Sequence, residues 1–333
     1  MDGMHAEIRF CAIMGVKCLI SGVQTKLQEV NRLKTGLKPL LWSGAAFLLL
    51  LLLAVPVLNL PALLFMMVPY VVLYSTLSKG AFALHTIPVW VAAALIVGPA
   101  VLIIGLFFLL PGIAMGHLYR KKEPAAKVIR IVGVIVLAQL MLELLVFELF
   151  LDLSLLDEMS SMIRDVFDTV MAQNTLATEW TSSHTDTLIQ VIINMIPLTF
   201  IILAYVLTVV SHYLARRIVN RSGLEVPAFP KARDWKLPRS LVIFYLIAYV
   251  MDLFMLSTSK AFLPVALMNL VPLLSYVFAI QAIGFFFYIA HHRDWNRAVP
   301  VLIAIPVLLI PPLSLIGVLD TAFPIRKAFV KSQ

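Results

Sequence analysis

The sequence predicts an all-α fold: a polytopic bundle of about nine transmembrane helices with one external amphipathic helix. Three observations lead there. Of the 333 residues, 61% are hydrophobic and only 13% charged, and the mean hydropathy is +0.97; soluble domains carry about 25% charged residues. Several apolar runs reach the roughly 20 residues that cross a bilayer as a helix. These runs, such as LLWSGAAFLLLLLLAVPVL at 40–58, lack the alternation of a membrane barrel. Helices are then the structure that satisfies their backbone in lipid.

The elements follow in order. Residues 1–38 form a basic extension, neither span nor secretory signal, because Arg9 and Lys17 interrupt its apolar part and no cleavage site follows. Cys11 and Cys18 share a helix face there, but two thiols without nearby ligands make a poor metal site. No metal or other cofactor is predicted. A single membrane domain fills 39–328, with spans at 39–58, 60–77, 82–98, 99–118, 128–150, 187–214, 240–257, 262–290 and 298–318, and a tail at 329–333. Residues 82–118 exceed one span, and Pro99 supplies the break. The connection 152–186 holds an amphipathic helix. Met159, Met162, Ile163, Val166, Phe167, Val170 and Met171 recur at helical spacing, with Asp157, Glu158, Arg164, Asp165 and Asp168 between them.

Charge orients the bundle. Lys and Arg gather on the cytoplasmic side of membrane proteins. Here they cluster in the N-terminal extension, at 120–122, in the loop 215–239 and at 291–297, which all fall on one side. The loop 152–186 falls opposite and carries seven acids against Arg164. The expected localisation is the bacterial cytoplasmic (inner) membrane, multi-pass, with the N-terminus inside. The bilayer is thus the first partner. The net charge of +8 does not indicate a nucleic-acid partner, because the basic residues sit at the ends of apolar runs. One feature resists this count. Nine spans place the tail outside, yet it carries Arg326, Lys327 and Lys331. The prolines at 300, 306, 311 and 312 allow the last segment to be bent or re-entrant.

Polar residues inside spans are costly and therefore informative. Gln139 and Glu143 lie four apart on span five. Gln190, Asn194, Tyr205, Thr208 and His212 share an arc of about 60° at 3.6 residues per turn on span six. Tyr245, Tyr249 and Asp252 share a face of span seven, and Asn269 and Gln281 lie on span eight. The candidate ligand-binding set is Gln139, Glu143, Asn194, Tyr205, Tyr249, Asp252, Asn269 and Gln281. The bland reading is that such groups hydrogen-bond across the bundle. In the loop 215–239, Arg216, Arg217, Trp235 and Arg239 are candidates for a partner or membrane interface; the Trp235 ring suits the headgroup layer. No G-x-x-x-x-G-K-[ST], H-E-x-x-H or G-x-S-x-G motif is present. No catalytic residue is assigned and no enzyme is expected.

The same loop carries a resemblance. Ala215, Arg216 and Arg217, then Glu225, Val226 and Pro227, then Trp235, Leu237, Pro238, Arg239 and Ser240 resemble the YybS-like (DUF2232) family of bacterial membrane proteins. LPGIAMGHLYRKK at 110–122, QAIGFFFYIAHHR at 281–293 and GVLDTAFPIRK at 317–327 agree with it. The resemblance covers about 39–328. It implies a likeness of the first six spans to the S subunits of energy-coupling-factor transporters. That in turn implies a small-molecule-binding or transport subunit with an outward pocket, served by a separate ATPase and a transmembrane coupling subunit. The alternative is a structural or regulatory protein that acts through partners or as a homodimer, with the polar stripes zipping helices together.

Overall fold

The computed structural model describes residues 37–151, 154–172, 182–254, 262–296 and 298–329. The extension with Cys11 and Cys18, most of the 152–186 connection outside its helices, and the end of the tail lie outside the described residues. Among the described residues every regular element is helical. Six stretches are long and apolar enough to cross a membrane. They are Asn59–Thr76, made of α2 (Asn59–Phe65) and α3 (Met67–Thr76); α4 (Lys79–Val97); α5 (Ala100–Arg120); most of α6 (Ala125–Leu151); α9 (Ile196–Arg221); and α11 (Phe262–His292). Three shorter apolar helices, α1 (Leu37–Leu52), α10 (Ser240–Phe254) and α12 (Ala298–Leu309), coincide with the first, seventh and ninth predicted spans. The predicted amphipathic helix is present as α7 (Leu155–Ala172), followed by α8 (Ser182–Asn194).

Local chemistry explains the breaks. Pro56 has no N–H for the Leu52 carbonyl, which accepts from Val55 N at 3.1 Å as α1 ends. Between α4 and α5, Gly98 takes φ +111°, open to glycine at no steric cost, and Pro99 starts the next helix. The Ser154 hydroxyl accepts from Asp157 N at 3.2 Å, capping α7. Asp157 and Glu158 fill its first turn, where the helix dipole favours acids. The predicted sixth span is two helices, because Met195 and Pro197 interrupt it between α8 and α9.

The chain divides into two compact units: residues up to 132 with 207–227, and residues 133–206 with 228 onward. In the first, α3 is buried from Met67 to Ser75. α5 approaches it through Gly112 and Gly116: an added Cβ at Gly112 would sit 2.8 Å from Tyr70 Cβ, and one at Gly116 2.9 Å from the Tyr74 ring. Small residues four apart let backbones meet in lipid, where packing rather than water exclusion holds helices together. The Trp90 indole of α4 donates to the Tyr70 hydroxyl at 3.0 Å. The outer face of α4 exposes Leu84, Ile87, Val91 and Leu95, a surface suited to lipid tails.

In the second unit, α11 is the axis. α12 runs antiparallel to it: Pro300 lies by Ala290, and Val307 by Ala279 and Ala282. The chain breaks at the 3-10 turn Pro311–Leu313, and α13 (Ser314–Ala322) returns parallel to α11. Gly317 meets Phe278 so closely that any Cβ would collide with its carbonyl. Asp320 reaches Gln281, and Phe329 reaches Phe285 and Arg293. The predicted ninth span is therefore corrected to a hairpin. Its ascending arm has 12 residues, about 18 Å of rise against a hydrocarbon core of about 30 Å. Pro311 and Pro312 end the arm because neither can donate to the preceding turn. The basic tail consequently returns to the end of α11 that bears His291 and Arg293, which removes the charge conflict of the nine-span count.

Candidate functional site

A cavity of about 490 Å³ lies between α10, α11 and the tip of the hairpin. Tyr245, Leu246 and Tyr249 of α10, Pro272, Ser275 and Tyr276 of α11, and Val307, Pro311, Pro312 and Leu315 of the hairpin line it. The two prolines that break the hairpin also shape the cavity, since a straight helix would carry the chain past it. Tyr245 is buried and shares a 3.1 Å hydrogen bond with the Ser275 hydroxyl. The Ser314 hydroxyl donates to the Pro311 carbonyl at 2.7 Å. Tyr249 and Tyr276 are 50% and 42% exposed, and among the described residues their hydroxyls have no hydrogen-bond partner. The lining carries no ionisable acid or base other than these phenols. The volume falls within the usual range for small-molecule sites, mostly apolar with a few polar groups. The chemistry suits a neutral, mainly apolar molecule with a hydrogen-bonding end.

Of the sequence candidates, Tyr249 lines this cavity. The others stand elsewhere. Asn269 bridges the break between α8 and α9: its amide donates to Asn194 O at 2.8 Å and Val265 O at 2.7 Å, and its oxygen accepts from Leu198 N at 2.9 Å. Asn194 O and Leu198 N flank the break, where helix ends leave backbone groups to be satisfied from outside, so Asn269 acts as a splice. The Asn194 side chain accepts from Gln190 at 3.1 Å. Tyr205 packs on Gly133 of α6, its ring 3.1 Å from where a Cβ would be. Gln139 and Glu143 share one face of α6, both half-buried and outside the cavity. Asp252 is exposed at the end of α10.

Gln281 belongs to a second constellation. Its amide donates to Asp320 Oδ2 at 2.6 Å and to Trp235 O at 3.3 Å. The Asp320 carboxylate is wholly buried and pairs with Arg326: Nε lies 2.8 Å from Oδ1 and Nη2 2.6 Å from Oδ2. The same guanidinium donates to the carbonyls of Arg233 at 2.8 Å and Trp235 at 2.9 Å, and lies 5.0 Å over the Tyr288 ring. This network ties the basic loop to the hairpin and to α11. Trp235 donates through its indole to Pro230 O at 3.0 Å and packs beside Gly284. Asp320 was legible only as part of GVLDTAFPIRK and Arg326 there and as a tail cation; their D-x-x-x-x-x-R spacing announces no chemistry by itself.

In the first unit, Arg216 donates to Val226 O at 2.9 Å and Pro227 O at 3.1 Å, folding the loop back on α9. Arg217 and Arg239 are exposed. His212 of the predicted stripe is buried, its Nδ1 2.9 Å from the Tyr119 hydroxyl.

Helices longer than a membrane is thick, apolar faces turned outward and a broken hairpin set against a long helix define a multi-pass α-helical membrane protein. The chain belongs to the family described as "Predicted membrane protein (DUF2232)", which it matches over residues 45–321. It is similar to the uncharacterized protein YybS of Bacillus subtilis (strain 168), 25% identical over 225 residues that cover 65% of this chain and 72% of that protein. No solved structure matches it.

Proposed function

We propose that the protein binds a neutral amphipathic small molecule in the cavity at the hairpin tip and serves as the membrane-embedded binding component of a transport or sensing system. The observation that carries this reading is the cavity of about 490 Å³, mostly apolar, with Tyr249 and Tyr276 in its lining beside the hydrogen-bonded hydroxyls of Tyr245, Ser275 and Ser314. Lacking a nucleotide-binding motif, such a component would draw energy from a separate ATPase through a coupling subunit. On this reading the protein acts by binding, and no catalytic role is proposed for the cavity. The bacterial inner membrane, with the basic loops in the cytoplasm, suits its charge distribution.

Native mass spectrometry of the detergent-purified protein tests the proposal. A retained small molecule is expected in the wild type and in Glu143→Gln. Ser275→Phe, which fills the cavity, is expected to lose it. Equal retention by Ser275→Phe would place the ligand elsewhere.

A second reading has its own support. Met159, Met162 and Val166 of α7 remain exposed, and α7 is tied to α8 through the Arg164–Asp186 pair at 2.7 Å. This face suits a partner protein or a second copy of the chain. Co-purified protein, with no small molecule retained, would favour it.

A further inference from the structure

We infer that a second cavity, at the basic end of α11, binds the phosphate of an anionic glycerophospholipid. This cavity measures about 680 Å³ and lies among the 3-10 turn Ala232–Asp234, the last turns of α11 and the start of α12. Its charged lining is Lys231 and Arg233 against one carboxylate, Asp294, with the His291 imidazole beside them. Arg233 is only loosely occupied: the nearest acid, Asp234, is 3.8 Å away and 60% exposed, a pair of little worth in water. A guanidinium and an ammonium so placed match a phosphodiester, the first by its planar fork and the second as a point charge.

The site is held in shape. Arg326 donates to the Arg233 carbonyl, which fixes the turn that presents Lys231 and Arg233. On the other wall, Asp294 takes φ +51°, a conformation Asp tolerates better than most residues. This lets Trp295 N donate to Ala290 O at 2.9 Å and close α11. Trp295 then stands at the rim, and Trp is a residue of the headgroup level.

The remaining lining distinguishes a lipid from free phosphate. Phe287, Ala290 and Pro300 make an apolar floor. Beyond them α12 exposes Val301, Leu302 and Ile305, a path for acyl chains away from the cationic end. Basic pockets between membrane helices bind phospholipid headgroups in this manner. The excess of cations selects a net negative headgroup, and Asp294 can accept from a headgroup hydroxyl, as phosphatidylglycerol offers.

The test uses the delipidated full-length protein, titrated with phosphatidylglycerol or phosphatidylcholine in mixed micelles and read by native mass spectrometry. Preferential retention of phosphatidylglycerol is expected, weakened about fivefold by Lys231→Gln and again by Arg233→Gln. The exposed Lys231 makes its variant safe for folding. Asp294→Asn is expected to bind phosphatidylglycerol at least as tightly as wild type does. Inorganic phosphate at about 10 mM, an ionic strength that leaves charge attraction largely unscreened, is expected not to displace the lipid. Equal retention of the two lipids, or a preference that survives in the double variant, overturns the proposal. Phosphate binding without lipid preference would assign the site to a soluble phosphate compound and equally overturn it.

Discussion

Removing the Arg326 guanidinium would leave the Asp320 carboxylate buried without its counter-charge, the Arg233 carbonyl without this donor and the Trp235 carbonyl with only the longer Gln281 bond. Breaking a buried pair from one side costs about 3–5 kcal/mol. Arg326→Met is therefore expected to lower the thermal unfolding midpoint in detergent sharply, while Asp320→Leu with Arg326→Met loses less than the single change. Single variants that melt with the wild type would show that the pair bears no such load. At this scale sequence reasoning reached residue types but not roles. Asn269 and Gln281 were visible as polar groups inside spans, which is why they read as ligand contacts. In the structure both reach groups far along the chain: Asn269 the backbone at the α8–α9 break, Gln281 the Asp320 carboxylate and the Trp235 carbonyl. Spacing along one helix carries no record of those groups.

Among the elements, the hairpin of α12 and α13 depends on close contact. At Gly317 even a methyl group meets the Phe278 carbonyl. Gly317→Ala is expected to destabilise the protein by about 1–3 kcal/mol through overpacking. Gly44→Ala, with nothing within 4 Å of the added carbon, is expected to leave the melting temperature unchanged. Paired thermal unfolding curves decide this, and equal shifts at both sites would mean that the hairpin does not seat on α11 as described. Helix existence was legible in apolar run length, and the α4–α5 break in Pro99. α7 was legible in its periodicity. The return of α13 was not, because composition does not distinguish a proline-broken crossing from a hairpin. The basic tail and the prolines at 300, 306, 311 and 312 hinted at it.

For the molecule as a whole, charge placement and the hairpin make a joint statement about sidedness. With α12 and α13 returning, Lys327 is expected to lie on the same side of the membrane as Lys236. In a background lacking Cys11 and Cys18, cysteines at 236 and 327 are expected to react with a membrane-impermeant thiol reagent from one side. A cysteine at 168, on α7, is expected to react from the other. Labelling of 236 and 327 from opposite sides would restore a full ninth crossing. Membrane class, family and most spans were readable from composition, run length and the motif-bearing loop. The cavity was not, because it is made of ordinary Tyr, Ser and Pro whose meaning arises only when the hairpin tip meets α10 and α11.

The hairpin has a consequence for how the chain is made. Residues 298–319 form an apolar stretch that the insertion machinery could thread across as readily as it could leave folded back. Lys and Arg resist translocation, so Arg326 and Lys327 are expected to favour the folded-back form during insertion. Once held back, the guanidinium finds Asp320, and a charge that first governed direction becomes part of the finished interior. Neutralising the tail would then yield a mixed population, some chains with the last segment threaded through, and the defect would arise before folding is complete.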